Sequence, residues 1–175
     1  MSYKQARLRR LNDRPSRPGG DYVLYWMQLY RRLERNHALD YALRCAQELG
    51  KPLVVYEGLR LDDPWASPRL HRFILEGMAA NATRAETLGL HYWPFVEREK
   101  GEGRGLLRGL AERACTVITD DYPCFIVPDQ SGALARKAEV PVIAVDSNSI
   151  VPVSLLGAPV YAAAHLRPRI HKAFA

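Results

Sequence analysis

The sequence lacks a segment that could cross a membrane, because no apolar run approaches the roughly 20 residues that a membrane-spanning helix needs. Its start is basic, with Lys4, Arg7, Arg9 and Arg10. The polar residues 12–14 (NDR) then interrupt the position where a secretory signal peptide would have its apolar core. We therefore expect a protein of the cytoplasm that does not associate with membranes.

Cysteine is also scarce. The three cysteines are an odd number and do not have the spacing of metal ligands, so they support neither a disulfide framework nor a zinc site. Cys45 lies on the expected inner face of a helix, and Cys115 opens an apolar strand. We interpret both as small buried hydrophobic residues.

No glycine-rich phosphate-binding motif is present. The turn after the first predicted strand, 29–32 (LYRR), has bulky side chains where a dinucleotide-binding fold has glycines. The stretch 101–105 (GEGRG) lacks the Lys-Ser/Thr pair of a phosphate-binding loop, so we interpret it as a flexible connection. No serine occupies a nucleophile elbow, and the histidines have no partners at catalytic spacing. The residues therefore favour a binding domain over a self-contained enzyme.

What the sequence does contain is a nearly all-apolar run at 21–28 (DYVLYWMQ). The run has no alternating polar face, so it predicts a strand covered on both sides, as in a parallel sheet. Residues 36–49 then have helical periodicity that ends at Gly50, and 52–56 form a second strand. This strand-helix-strand order predicts an α/β fold built around the first strand.

The alternation continues along the chain. A long helix is predicted from Ser67, an N-cap followed by proline, to about Leu88. Its expected apolar face consists of Leu70, Phe73, Ile74, Gly77, Met78 and Ala82. Further strands are predicted at 91–96 (ending near Pro94), 115–119 and 140–145. Helices are predicted between them, at 106–114 and 131–139.

We therefore predict one α/β domain at 21–150, with a five-stranded, mostly parallel sheet and helices on both faces. Residues 1–20 are interpreted as an extended basic lead-in, and 151–175, which show no sustained pattern, as a tail or linker. The net charge is +6, and most of the excess lies near the two ends. Basic ends of this kind permit contact with DNA.

Polar residues gather at the predicted carboxyl ends of the strands. In such folds a ligand lies in the crevice outside these ends, where the strand order reverses. If the chain binds a small molecule, we expect these residues to line the site. The predicted cofactor-binding residues are Gln28, Glu57, Asp120, Asp121, Asp146 and Asn148.

The adjacent pair Asp120 and Asp121 leaves two interpretations open. The two carboxylates could form a metal site or an acid–base pair, but neighbouring side chains on a strand point to opposite faces. Either aspartate could instead cap the turn before residues 122–123 (YP).

Several segments, in this order along the chain, are similar to one known family. They are 10–15 (RLNDRP), 23–28 (VLYWMQ), 36–39 (NHAL), 72–78 (RFILEGM), 122–125 (YPCF), 145–148 (VDSN) with 151–152 (VP), and 164–169 (AHLRPR). Together they resemble the start of a class II cyclobutane pyrimidine dimer DNA photolyase, over nearly the whole chain.

The resemblance implies a Rossmann-like N-terminal domain of a deoxyribodipyrimidine photolyase, a carbon–carbon lyase. A larger helical domain of that family binds reduced FAD, receives the flipped-out dimer and splits it by light-driven electron transfer. FAD is therefore expected only in a domain missing from this chain, and no catalytic residue is assigned. The family's α/β domain carries or helps to hold an antenna pigment, a deazaflavin or a folate, which would contact the six residues named above.

Two alternatives stay open. The chain could be a non-enzymatic module that docks a separate partner chain, or a second copy of itself, through the surface that a helical domain covers in the family. The helical flavin domain, in cis or in trans, is the partner that the resemblance itself implies. The apolar residues expected to form that surface are Val151, Val153, Leu155, Leu156 and Val160. The chain could also be a nucleotide-binding α/β protein, which rests on fold analogy alone.

Overall fold

The computed structural model describes residues 5–62 and 65–174. Residues 1–4 of the predicted lead-in, residues 63–64 before the helix predicted from Ser67, and Ala175 of the predicted tail lie outside the described residues. The strands are β1 (Leu8–Arg10), β2 (Tyr22–Met27), β3 (Leu53–Leu59), β4 (His91–Val96), β5 (Ala114–Asp121) and β6 (Val142–Asp146). The α-helices are α1 (His37–Leu49), α2 (Pro68–Leu88), α3 (Leu106–Arg113), α4 (Val127–Lys137) and α5 (Ala163–Phe174).

The strands form one sheet in the order β1-β6-β5-β2-β3-β4. All neighbouring pairs are parallel except β1 and β6, which are antiparallel. Side chains of β2 alternate between two separate cores, as the period of a strand requires. Tyr25 packs with α1 and the end of α2, whereas Leu24 packs with α3 and α4. This arrangement confirms the predicted α/β fold with helices on both faces.

The sheet has one strand more than predicted, because part of the basic lead-in pairs with the edge of β6. Arg7 anchors this segment, since its buried guanidinium donates to the carbonyl oxygens of Asp146 (2.9 Å), Ser149 (3.0 Å) and Ile150 (2.6 Å). Such side-chain contacts between distant parts of the chain leave no periodic pattern in a short segment. Residues 5–17 therefore belong to the folded domain.

The predicted bounds of α1 and α2 are confirmed by their caps. The Asn36 side chain accepts hydrogen bonds from the backbone N–H groups of the first turn of α1, and the Ser67 hydroxyl accepts one in α2. Gly50 and Gly89 follow the two helices in the left-handed conformation, at φ of 60° and 64°. Glycine adopts this conformation without the steric penalty of a Cβ atom.

The apolar face predicted for α2 is wrong over its first half. Met78, Asn81 and Ala85 are the buried residues of this helix, whereas Phe73 is 75% exposed. The reason is length: 21 residues of helix span about 31 Å, whereas the seven residues of β3 span about 23 Å. The helix is therefore about 8 Å longer than the strand, and no side chain of its first half, before Met78, is buried. We call residues 68–77 the projecting half of α2.

Three smaller differences concern prolines and loops. β4 continues through Pro94 instead of ending there, because an edge strand tolerates the missing N–H. α4 begins at Val127, four residues earlier than predicted. The tail contains a short 3₁₀ turn at Val153–Leu155 and the helix α5, whose internal Pro168 obscured its pattern. No helix in the described part of the chain is long and apolar enough to cross a bilayer.

Candidate functional site at the carboxyl ends of the strands

The candidate site lies where the order of the strands reverses, between β2 and β5. The loop after β2, residues 28–36, leaves the sheet at this point. The carboxyl ends of β3, β5 and β6 lie around it. All six residues predicted to bind a cofactor are at this edge of the sheet, within or directly after these strands: Gln28, Glu57, Asp120, Asp121, Asp146 and Asn148.

Asp120 holds the loop after β2. Its buried carboxylate accepts a 2.8 Å hydrogen bond from the Tyr25 hydroxyl and three more from the backbone N–H groups of residues 28–30, at 3.0, 2.7 and 3.1 Å. Tyr25 in turn accepts a 2.9 Å bond from the Asn36 amide. Burial raises the pKa of Asp120, although these hydrogen bonds oppose the shift, and burial also raises the pKa of Tyr25 well above its ordinary value.

Glu57 forms the second cluster, on the β3 side of the loop. Its carboxylate is fully buried and accepts hydrogen bonds from Arg31 (2.9 Å), the Asn81 amide (3.1 Å) and the Tyr92 hydroxyl (2.6 Å). Burial, and next the hydrogen bond to Glu57, raise the pKa of Tyr92. Arg31 supplies the positive charge that a buried carboxylate needs.

Asp146 and Asn148 form the third cluster, after β6. The Asp146 carboxylate accepts two 2.8 Å bonds from the backbone and side-chain amides of Asn148 and one of 2.7 Å from the backbone of Val153. Asn148 also donates a 2.9 Å bond to the carbonyl oxygen of Asp121 and accepts one from the Tyr30 hydroxyl. The loop after β2 is therefore held from three neighbouring strands.

Asp120 and Asp121 diverge, as the alternation along a strand requires. Asp120 is buried, whereas Asp121 forms a two-bond ion pair with Arg9 at the sheet's outer edge. The pair therefore cannot act as one acid–base or metal site. Among residues 5–62 and 65–174, no group of three or more His, Cys, Asp or Glu residues is placed to hold a metal ion. The turn capped by Asp120 is the one after β2, not the one after β5.

A planar pigment does not fit a cradle made of these six side chains. The buried carboxylates of Glu57, Asp120 and Asp146 already accept hydrogen bonds from protein donors on both oxygens. Gln28 donates to the Thr119 and Ser131 hydroxyls at 2.7 and 2.9 Å, and its side-chain oxygen is buried without a hydrogen bond. These side chains therefore stabilise the loop. Of the six, Gln28 alone has a buried side-chain oxygen that accepts no hydrogen bond from the protein and could accept one from a ligand.

The donors that complete these clusters were not predicted: Tyr25, Arg31, Asn36, Asn81 and Tyr92. Two of them left a signal in the sequence. A tyrosine within an otherwise apolar buried strand needs a partner for its hydroxyl. An asparagine facing the core side of a long helix also needs one.

Three aromatic rings lie in the loops that follow two of these strands. The rings of Trp65 and Phe125 meet edge-on with centroids 6.0 Å apart, and Phe125 lies parallel to Tyr122 at 6.3 Å. We call these three residues the aromatic rim. They belong to the loops after β3 and β5, the two neighbours of β2. Trp65 is 58% exposed and Phe125 is 71% exposed.

The tail is a less continuous apolar surface than predicted. Val151 is buried in the domain, which contradicts its predicted place on a docking surface, whereas Val153 and Leu155 are exposed. Leu156 and Val160 are half-buried. Exposed aromatic rings also lie outside the tail, at the rim (Trp65 and Phe125) and on α2 (Phe73), whereas the tail exposes the ring of Tyr161.

The basic lead-in takes part in the fold through its arginines. Arg9 pairs with Asp121, Arg14 with Glu139 at 3.3 Å, and Arg17 donates to the carbonyl oxygen of Ala114 at 3.0 Å. Contact with DNA through the basic ends stays a prediction.

Comparisons with known proteins point to one named relative. No protein-family model matches the chain. The chain is 35% identical, over 167 residues, to a protein named deoxyribodipyrimidine photo-lyase from Methanothermobacter thermautotrophicus. The match covers 95% of this chain but 37% of the relative, so the chain spans little more than a third of that protein's length. This similarity supports the resemblance to photolyases.

Two solved structures are similar to part of this chain. A universal stress protein from Archaeoglobus fulgidus matches with a TM-score of 0.42 and 18% identity, over 72% of this chain and 44% of that chain. A protein of the universal stress protein family from Burkholderia pseudomallei matches with a TM-score of 0.42 and 24% identity, over 78% of this chain and 100% of that chain. Likenesses of this strength carry no information about function.

Proposed function

We propose that this chain is the N-terminal α/β domain of a photolyase-like DNA-repair protein of the class II type. It supports the repair of pyrimidine dimers only together with a flavin-binding helical domain that lies outside this chain. The observation that carries the proposal is the 35% identity to a photo-lyase over 95% of the chain. The chain spans 37% of that relative, so we assign the catalytic, flavin-binding domain to the part of the relative that this chain does not match.

The surface that would meet such a domain is the aromatic rim together with the projecting half of α2. Exposed aromatic side chains that lie together on a surface are typical of sites that another protein covers. Phe73 and Leu70 of α2 are also exposed, and α2 follows the same loop after β3 that carries Trp65. This location favours docking of the helical domain at the carboxyl edge of the sheet.

An antenna pigment, a deazaflavin or a folate, is the cofactor class that the resemblance implies for this domain. We propose that its planar ring lies against the aromatic rim, because Trp65 and Phe125 are exposed aromatic side chains and both oxygens of each buried carboxylate already accept hydrogen bonds. Gln28 is the polar contact that the crevice could add. When bound, the pigment would absorb light and pass excitation energy to the flavin.

A chimera tests the assignment. The matched region of the Methanothermobacter relative is replaced by this chain, and light-dependent repair of an oligonucleotide that contains a thymine dimer is measured. We expect the chimera to purify with flavin and to repair the dimer in light but not in the dark. The control is the relative with that region deleted. A chimera that retains flavin but repairs no better than this control would contradict the proposal.

The pigment is tested separately on this chain alone. A deazaflavin or a folate is mixed with the purified domain, and we expect its absorption band to shift on binding. Replacement of Trp65 by serine should remove the shift, whereas replacement of Trp93, which lies within β4 and is not part of the rim, should not. If neither pigment shows a shift, the antenna role is contradicted. The chain would then be a docking module, which is the second candidate and is favoured by the exposed rim.

A further inference from the structure

A basic concavity lies beside the candidate site, between the loop after β2 and the middle of α2. Its volume is about 680 Å³. We call it the arginine concavity, after the charged residues that line it, which are Arg32, Glu34, Arg35 and Arg84. Three positive charges and one negative charge leave a net charge of +2 on its lining.

The arginines reach the concavity from two separate elements. Arg32 and Arg35 belong to the loop after β2, whereas Arg84 belongs to α2. Arg32 donates to the carbonyl oxygen of Arg35 at 3.4 and 3.2 Å, which restrains its side chain. Arg84 forms a 2.7 Å ion pair with Glu34, and both side chains are about half exposed. Within the described residues, the Arg35 side chain has no hydrogen-bond or ion-pair partner.

The backbone of Arg35 is strained. Its φ of 49° lies in the left-handed region, where a residue with a Cβ atom costs about 1–2 kcal/mol. The left-handed conformation of residue 35 places Asn36 where it caps α1. Glycine or asparagine at position 35 would adopt the same conformation at a lower free-energy cost. Capping of α1 therefore accounts for the left-handed turn but not for an arginine at this position. Residues with a strained backbone of this kind cluster at ligand-binding sites.

We propose that the arginine concavity binds a phosphate group. Guanidinium groups match the geometry of phosphate oxygens and form charge-assisted hydrogen bonds with them. The positive end of α1 begins two residues after Arg35 and adds to the potential. A bound phosphate would compete with Glu34 for Arg84. This proposal goes beyond the function proposed above and does not depend on it.

The phosphate could belong to a small molecule or to a nucleic-acid strand. Phe73 lies on the same face of α2 as Arg84, because eleven residues complete about three helical turns, or about 16 Å. Its ring is 75% exposed and could stack with a base of a single strand whose phosphate occupies the concavity. In both cases the bound group is a phosphate that contacts arginine side chains.

The test is calorimetric titration of the chain with inorganic pyrophosphate at low ionic strength. We expect saturable binding that weakens as salt is added. Arg35→Asn, which suits the left-handed turn, and Arg84→Ala should each weaken binding about tenfold, the effect of one lost charge-assisted hydrogen bond. Glu34→Gln should tighten binding about fivefold, because it removes the opposing charge.

Arg108→Ala is the matched control, because it removes one exposed arginine from an ion pair on α3, on the other side of the sheet. Binding should be unchanged in this variant. Absence of saturable binding, or equal loss in Arg108→Ala and Arg84→Ala, would overturn the proposal. Tighter binding by Glu34→Gln cannot result from misfolding, so this variant distinguishes loss of the phosphate site from a general loss of structure.

A single-stranded oligonucleotide with a fluorescent label identifies the source of the phosphate. If pyrophosphate displaces the oligonucleotide and Phe73→Ser weakens oligonucleotide binding, the site binds the nucleic-acid backbone. If the oligonucleotide does not compete with pyrophosphate, the site binds a phosphate-bearing small molecule. Both outcomes support a phosphate site.

Discussion

The hydroxyl of Tyr25 donates a 2.8 Å hydrogen bond to the carboxylate of Asp120, across the point where the strand order of the sheet reverses. Tyr25 lies in the middle of β2, and Asp120 lies near the end of β5. The same carboxylate accepts three backbone N–H groups of the loop after β2. One side chain thus fixes the position of the loop that carries Tyr30, Arg31 and the arginine concavity.

We predict that Asp120→Asn destabilises the domain by about 3 kcal/mol. The amide can keep its oxygen on the three backbone N–H groups, but its NH₂ group then replaces the oxygen that accepts from the Tyr25 hydroxyl, and the negative charge that strengthens all four hydrogen bonds is lost. The matched control is Asp121→Asn, whose exposed pair with Arg9 should contribute about 1 kcal/mol or less. Urea unfolding followed by circular dichroism measures both. Equal losses in the two variants would show that Asp120 has no special role.

Burial raises the pKa of Asp120 in the folded state, so stability should depend on pH in a defined direction. The folded protein binds this proton more tightly than the unfolded chain, whose aspartates titrate at roughly pH 4. The stability contribution is full below that pH and is lost as the pH rises through the folded pKa. The difference in unfolding free energy between the wild type and Asp120→Asn should therefore shrink across this interval. A difference that grows with pH would contradict the assigned shift.

The sequence predicted the elements that follow local rules. Asn36 and Ser67 mark helix starts, Gly50 and Gly89 mark helix ends, and the buried strand 22–27 reveals the parallel sheet. It also predicted that polar residues gather at one edge, because parallel strands end together.

The partners of those polar residues could not be predicted. Asp120 and Gln28 are 92 residues apart in the chain, and their hydrogen bond depends on the register between β2 and β5. The same limit applies to β1, whose three residues pair with β6 beside Arg7, which binds carbonyl groups that lie 139 to 143 residues away.

The pair Arg31 and Glu57 gives a third prediction. Arg31→Ala should destabilise the domain by about 3–5 kcal/mol, because it leaves a fully buried carboxylate without its positive partner. The double variant Arg31→Ala with Glu57→Gln should recover part of this loss, since the neutral amide still accepts from Asn81. Denaturation midpoints of the two variants test this. A double variant less stable than Arg31→Ala alone would mean that the charge is not the source of the loss.

Two glycines should respond in opposite directions to alanine. A Cβ atom at Gly20 would lie 2.6 Å from the backbone nitrogen of Cys115 and 2.7 Å from the backbone of Ala114, so the chain must shift. We expect a loss of about 3 kcal/mol, which is in the range of severe backbone clashes. Gly109 lies within α3 and its Cβ would meet nothing within 4 Å, so alanine there should stabilise the domain by about 0.5–1 kcal/mol. Thermal unfolding of the two variants measures the contrast.

The aromatic rim gives the last prediction, which concerns docking rather than stability. Trp65→Ser and Phe125→Ser remove exposed rings, so each should change the unfolding free energy by less than about 1 kcal/mol. If the rim docks a helical flavin domain, each should nevertheless reduce the yield of flavin-loaded chimera and its light-dependent repair. Tyr161→Ser is the control, because Tyr161 is 99% exposed on the tail and away from the rim. If all three substitutions have the same effect, the aromatic rim is not the docking surface.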